Sequence, residues 1–168
     1  MVLRPTNILN NTREHKEEEP SRRRKLDEPR RPTTTFDNAQ LRIKYARDRR
    51  KRPTECDRKG DLYLLKGRLR RKTFFKVGRS VDVERRLEEH KKQCRAVTGW
   101  EPMGHWTAKH HHKAEKLVHQ KMKIEGFRKF DQDCPCEKDH QECFVLRGTT
   151  LMKGLATAEG IIRHHLKL

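Results

Sequence analysis

Tyr63, Lys76, Arg86, His90 and Glu115 are the residues of this sequence whose types could together handle a phosphate ester. A phenol such as Tyr63 can orient the attacking water at a scissile phosphate, or deprotonate it if nearby cations lower its pKa. A guanidinium such as Arg86 can fork onto two phosphate oxygens and stabilise the charge that builds as the diester is attacked, which a lysine there could not match. Lys76 offers a point charge to the same oxygens. His90, one helical turn beyond Arg86, can contact the nucleic-acid backbone or assist proton transfer. Glu115 can hold Mg²⁺ or Mn²⁺, because a single carboxylate completed by water and phosphate suits a hard cation. Its i, i+4 neighbours His111 and His119 share its helix face, so a zinc site of those three is an alternative.

A second set has metal-ligand spacing: Cys134-Pro135-Cys136, then His140, then Cys143. Zinc takes four such ligands in a tetrahedron, although a pair one residue apart is tighter than the usual zinc-ribbon pair. The sequence has 5 cysteines and a strongly basic balance. With no leader expected, these read as thiols or metal ligands and not as disulfides. Cys56 has no evident partner.

The elements that must position these side chains begin with two β-rich runs, Leu62-Tyr63-Leu64-Leu65 and Thr73-Phe74-Phe75-Lys76-Val77, joined through a basic turn containing Gly67. This pattern predicts a hairpin, with the second strand stopping at Gly78. Gly78 would let the backbone approach a phosphate or simply permit the turn. Arg79 follows it, beside a helix N-terminus that attracts anions. Val83, Leu87, His90 and Cys94 then recur at helical spacing, with Ser80 or Asp82 where an N-cap belongs. Arg85 and Arg86 lie on that helix. A short third strand is expected at Gly104–Thr107. A helix follows over Ala108–Ile124 on the stripe Ala114, Leu117, Val118 and Met122. A last helix is expected over Thr149–Leu168, its apolar face covering the sheet.

Taken in order, Gly60 with Leu62-Tyr63 and then Lys76-Val77-Gly78 resemble the two signatures of the GIY-YIG nuclease superfamily. Arg86 falls eight residues after Gly78, where that family places its catalytic arginine. The resemblance runs from about Gly60 to Phe144. It is closest to the phage-type DNA-binding branch, also found in fungal proteins, which carries lysine where the best-known nucleases have tyrosine. It implies that Glu115 is the metal-binding glutamate. It also implies that Lys76, Gly78, Arg79, Arg85 and Arg86 contact nucleic acid. Cys94 matches a cysteine of the fungal proteins, so the implied zinc ligands are Cys94, Cys134, Cys136 and His140, with Cys143 in reserve. Lysine at position 76 puts cleavage in question and leaves open a non-catalytic DNA-binding module.

Composition sets the bounds. The 168 residues carry a formal net charge of +18, with 39% charged and 32% hydrophobic residues. Such a balance points to a polyanionic partner. Residues 1–60 hold 18 basic against 10 acidic residues and the remainder 24 against 14, so the folded part is itself basic. DNA is the expected partner, with RNA an alternative. No run reaches the roughly 18 apolar residues of a membrane span. The opening MVLRPTNILNN lacks an apolar core, so secretion is not expected. An intracellular protein is expected, nuclear if eukaryotic.

Pro5, Pro20, Pro29, Pro32 and Pro53 interrupt the first stretch, and its apolar residues are scattered. Residues 1–56 therefore read as a disordered basic arm that cannot offset its ordering entropy, with a short helix over Phe36–Arg50 allowed. Arg22-Arg23-Arg24-Lys25 and Arg49-Arg50-Lys51-Arg52 would serve there as a nuclear address or a non-specific nucleic-acid arm. Residues 57–168 should form an α/β (α+β) domain, a small antiparallel sheet flanked by helices. The expected function is metal-dependent phosphodiester cleavage of DNA. The rivals are DNA binding without cleavage and a zinc-stabilised protein-interaction domain.

Overall fold

A computed structural model describes residues 35–130, 142–146 and 148–167. The elements run α1 (Thr35–Arg50), β1 (Gly60–Leu69), β2 (Lys72–Ser80), α2 (Val83–Gln93), β3 (Val97–Ala108), α3 (His111–Ile124), β4 (Phe127–Lys129), β5 (Cys143–Leu146) and α4 (Leu151–His165). The strands form one antiparallel sheet in the order β3-β1-β2-β5-β4, so the fold is α+β with helices about an open sheet. The expected hairpin is present with Tyr63 opposite Gly78 and Leu65 opposite Lys76. The second strand continues past Gly78 to Ser80, so Gly78 is a strand residue and not a turn. The third strand is longer than expected, and β4 and β5 were not foreseen.

Side chains alternate across a strand, and both faces of the hairpin are used. Leu62, Leu64, Phe75 and Val77 pack with Ala114, Val118 and Met122 of α3 and Ala158, Ile161 and Ile162 of α4. Leu69 and Phe74 pack in a second cluster with Cys94, Val97, Phe130 and Cys143. Tyr63, Lys76 and Gly78 share the strand parity of this second set. The thin apolar supply is thus spent on a sheet covered from both sides. Burying such residues stabilises the domain by about 25 cal/mol per Å² of apolar surface removed from water.

A helix, α1, occupies nearly the span that the arm allowed. It docks by polar contacts and not by an apolar stripe. The Gln120 amide donates to Asp48 at 2.8 Å and the Lys116 ammonium lies 3.0 Å from the same carboxylate. The Tyr45 hydroxyl meets His165 Nε2 at 2.8 Å. These bonds, to Gln120 and then Lys116, hold the buried Asp48 carboxyl well below the usual carboxylate range. Ile43, which gave the pattern part of its apolar character, is exposed. The basic run Arg49-Arg50-Lys51-Arg52 is exposed at the end of α1. The Arg22–Lys25 cluster, Cys134, Cys136 and His140 lie outside the described residues.

Candidate active site

Tyr63 is 1% exposed, and its ring lies across Gly78 of the neighbouring strand. A Cβ added at Gly78 would stand 2.3 Å from the Tyr63 hydroxyl oxygen. The glycine is therefore required for close approach of the phenol, which is a different need from the turn or phosphate contact anticipated for it.

The helix that answers Tyr63 is set by its cap. Asp82 accepts from the Arg85 backbone N–H at 2.9 Å and starts α2. Arg86 and His90 then fall one turn apart, and His90 Nε2 lies 2.9 Å from the Tyr63 hydroxyl. Trp100 of β3 stacks on the His90 ring at 5.5 Å and fixes its plane. Arg86 reaches the Tyr63 oxygen while its guanidinium pairs with Glu89 at 2.8 Å. Phenol, imidazole and guanidinium come together here, whereas the Glu115 carboxylate, anticipated in the same set, pairs with Arg79. Arg85 does not join them: it is exposed and pairs with Glu89 and Asp82 on the outside of α2.

Lys76 enters from the middle of β2. Its side chain is 9% exposed and its ammonium donates to Glu142 at 2.7 Å. Strand β5 pairs with β2 at Phe75 and Lys76, and α3 closes on β2 just beyond. His119 Nε2 donates to the Val77 carbonyl at 3.0 Å, and the Val77 N–H points at the Glu142 carbonyl at 3.4 Å. Two residues on, Arg79 pairs with Glu115 at 3.2 Å. The position of α3 is itself held by a distant cap: Asp57 accepts from the backbone N–H groups of His112 and Lys113, each at 2.9 Å.

The electrostatics follow from this packing. Burial raises the Tyr63 phenol above its ordinary value and outweighs the pull of Lys76 and Arg86. The expectation that cations would make it a base is therefore corrected: the phenol is a hydrogen-bonding group at neutral pH. Burial, assisted by Lys76 and Arg86, pushes His90 down to about 4, so the ring is neutral. Burial pushes the Glu115 carboxyl up to about 7, against Arg79 and with a further push from Glu142. Burial would raise Glu142 as well, but the Lys76 charge and hydrogen bond outweigh it and the net shift is downward.

Glu142 is the site residue that sequence reasoning missed. No periodicity marks it in the sequence. Trp100 and Asp57 were missed for the same reason. The zinc alternative on α3 does not assemble: Glu115 turns to Arg79, His119 to Val77, and His111 packs over Gly60. Among the described residues no group of three or more His, Cys, Asp or Glu side chains is placed to hold a metal ion. Glu115, the single carboxylate expected to hold Mg²⁺ or Mn²⁺ with water and phosphate, is paired with Arg79. Cys94 and Cys143 are buried in one cluster.

Among the described residues no helix is long and apolar enough to cross a membrane. Residues 60–163 match the model of the T5orf172 domain. No curated protein and no solved structure matches the chain.

Proposed function

Since this chain belongs to the T5orf172 domain family, a phage-type, nuclease-like DNA-binding domain related to endonuclease families, we propose that it is a GIY-YIG-type endonuclease that hydrolyses a DNA phosphodiester with a divalent cation. The observation that carries this reading is the convergence of Tyr63, His90 and Arg86, with the two hydroxyl and imidazole atoms 2.9 Å apart, beside Lys76.

In this reading Arg86 and Lys76 bind the non-bridging phosphate oxygens, and Arg79 adds a third cation at the edge. Tyr63 orients the attacking water. The water oxygen bonds to phosphorus, the bond to the leaving sugar oxygen breaks, and that oxygen takes a proton from solvent. The proton lost by the water passes through the phenol to His90, whose proton affinity rises when a phosphate anion sits nearby. Glu115 would hold Mg²⁺ or Mn²⁺, which when bound supplies Lewis-acid stabilisation of the phosphate. Zn²⁺ held by Cys94, Cys134, Cys136 and His140, with Cys143 in reserve, would tie the end of α2 to the segment that follows β4 in the chain and steady a small core.

A supercoiled-plasmid nicking assay with Mg²⁺ or Mn²⁺ tests the reading. Nicking that disappears in Arg86→Ala and Glu115→Ala supports it. DNA binding without nicking would leave a non-catalytic module. That second reading has its own observation: Lys76, Arg79 and Arg86 are each paired with a carboxylate, and the phenol is not activated.

A further inference from the structure

Three cations of β2 and α2 are each paired with a carboxylate: Lys76 with Glu142, Arg79 with Glu115 and Arg86 with Glu89. The pairs are not equivalent. Arg86 and Arg79 carry forked guanidiniums with donors to spare, and Arg79 Nε is buried with no hydrogen-bond partner among the described residues. Lys76 has one compact charge, buried in the middle of a strand, with Glu142 as its only ion-pair partner among the described residues. Glu142 is the more open of the two, its side chain 41% exposed against 9% for Lys76. Its carboxylate approaches the lysine as a phosphate oxygen would, at 2.7 Å. It is also anchored where it stands, by its backbone carbonyl facing the Val77 N–H at 3.4 Å and by the β5 pairing of Cys143 with Lys76.

We propose that Glu142 is the internal ligand of the phosphate site: its carboxylate occupies Lys76 in the resting protein, and a DNA phosphate must displace it to gain that contact. The inference rests on the DNA-binding reading above and assigns a role to a residue outside its expected site. Glu142 thereby sets the threshold for occupancy. A phosphate brought in only by long-range attraction leaves Lys76 paired, whereas one held by Arg86 and Arg79 as well competes for it.

The test is the affinity of the full chain for a short DNA duplex, read by fluorescence anisotropy in EDTA over a range of salt. Glu142→Gln should bind about three- to tenfold more tightly, the gain one freed charge-assisted contact supplies. Its salt dependence should steepen by about one phosphate's worth of released counterion. Glu125→Gln is the control for charge alone, since it frees the half-buried Lys121 by the same change. Lys76→Met should bind more weakly, and Lys76→Met with Glu142→Gln should bind no better than Lys76→Met. Glu142→Asp shortens the side chain while retaining its charge, and should gain affinity in the same direction if Glu142→Gln fails to fold. A gain no larger than that of Glu125→Gln, or one that persists without Lys76, overturns the inference. Wild-type binding without a gain from either Glu142 variant sinks this inference alone. Absence of binding by every chain at low salt sinks the DNA-binding reading with it.

Discussion

Gly78 lies directly opposite Tyr63 in the antiparallel pair of β1 and β2, and a Cβ there would stand 2.3 Å from the phenol oxygen. The catalytic geometry proposed for Tyr63 therefore depends on a missing side chain one strand away. The phenol can point at His90 only because the neighbouring strand presents no atom in its path.

Gly78→Ala should displace the ring and break its 2.9 Å contact with His90. Overpacking of this kind costs about 1–3 kcal/mol. The denaturation midpoint should fall accordingly, and nicking should fall more than duplex affinity, since the cations that bind phosphate stay in place. A stable, fully active Gly78→Ala protein would show that Tyr63 does not need its present position.

Arg86→Lys should preserve most duplex affinity and lose cleavage by about 10²–10³-fold, because the charge is kept and the fork is lost. Single-turnover rates on a supercoiled-plasmid substrate measure the effect. Equal loss of binding and cleavage would reduce Arg86 to a docking residue.

Acid should destabilise the domain through His90. The ring is held down at about 4 against an ordinary 6.5, so its neutral form contributes stability in full above the unfolded value and loses it as pH falls from 6.5 towards 4. The ceiling on that loss is about 3 kcal/mol. Lys76 and Arg86 push the ring down, while Glu142 and Glu89 pull the other way. Glu115 has the opposite sign: raised to about 7, it favours the fold at low pH and loses that contribution as pH rises from 4.5. The difference between wild type and His90→Gln isolates the histidine. Urea midpoints that converge between pH 7 and pH 4.5 are the expected outcome, and parallel ones would contradict the neutral, buried ring.

Asp48→Ala should release α1. Gln120 and Lys116 would lose their shared acceptor, at a cost of about 1–3 kcal/mol for groups left unsatisfied. Hydrogen exchange across Thr35–Arg50 should speed up while the sheet stays protected. If α1 exchanges equally fast in wild type, the helix is not docked in solution.

Purified protein should contain one zinc ion, and a strong chelator should lower the melting temperature. Cys94→Ser should mimic the chelator. A metal-free protein indifferent to chelation would end the zinc proposal.

Much of this architecture was already written in local pattern. The hairpin, the helix after it, and the α3 and α4 stripes follow from periods of two and of 3.6 residues. Tyr63, Arg86 and His90 could be placed relative to one another from that alone, because strand, turn and helix are neighbours in the chain. The decisive contacts of the site are of another kind. Tyr63 meets His90 across 27 residues, Lys76 meets Glu142 across 66, and Gln120 meets Asp48 across 72.

No periodicity marks Glu142, or the polar face of α1, since a pattern records which side of an element is apolar and not which distant charge will be brought to it. The proton affinity of Tyr63 was also beyond local reading. The sequence shows the cations around it, and only the closed fold shows that burial outweighs them. The order of elements and the types of the reacting groups were thus determined by the chain itself. Which charges neutralise one another, and which group is dry enough to stay neutral, was decided by packing, because desolvation exists only once water has been excluded.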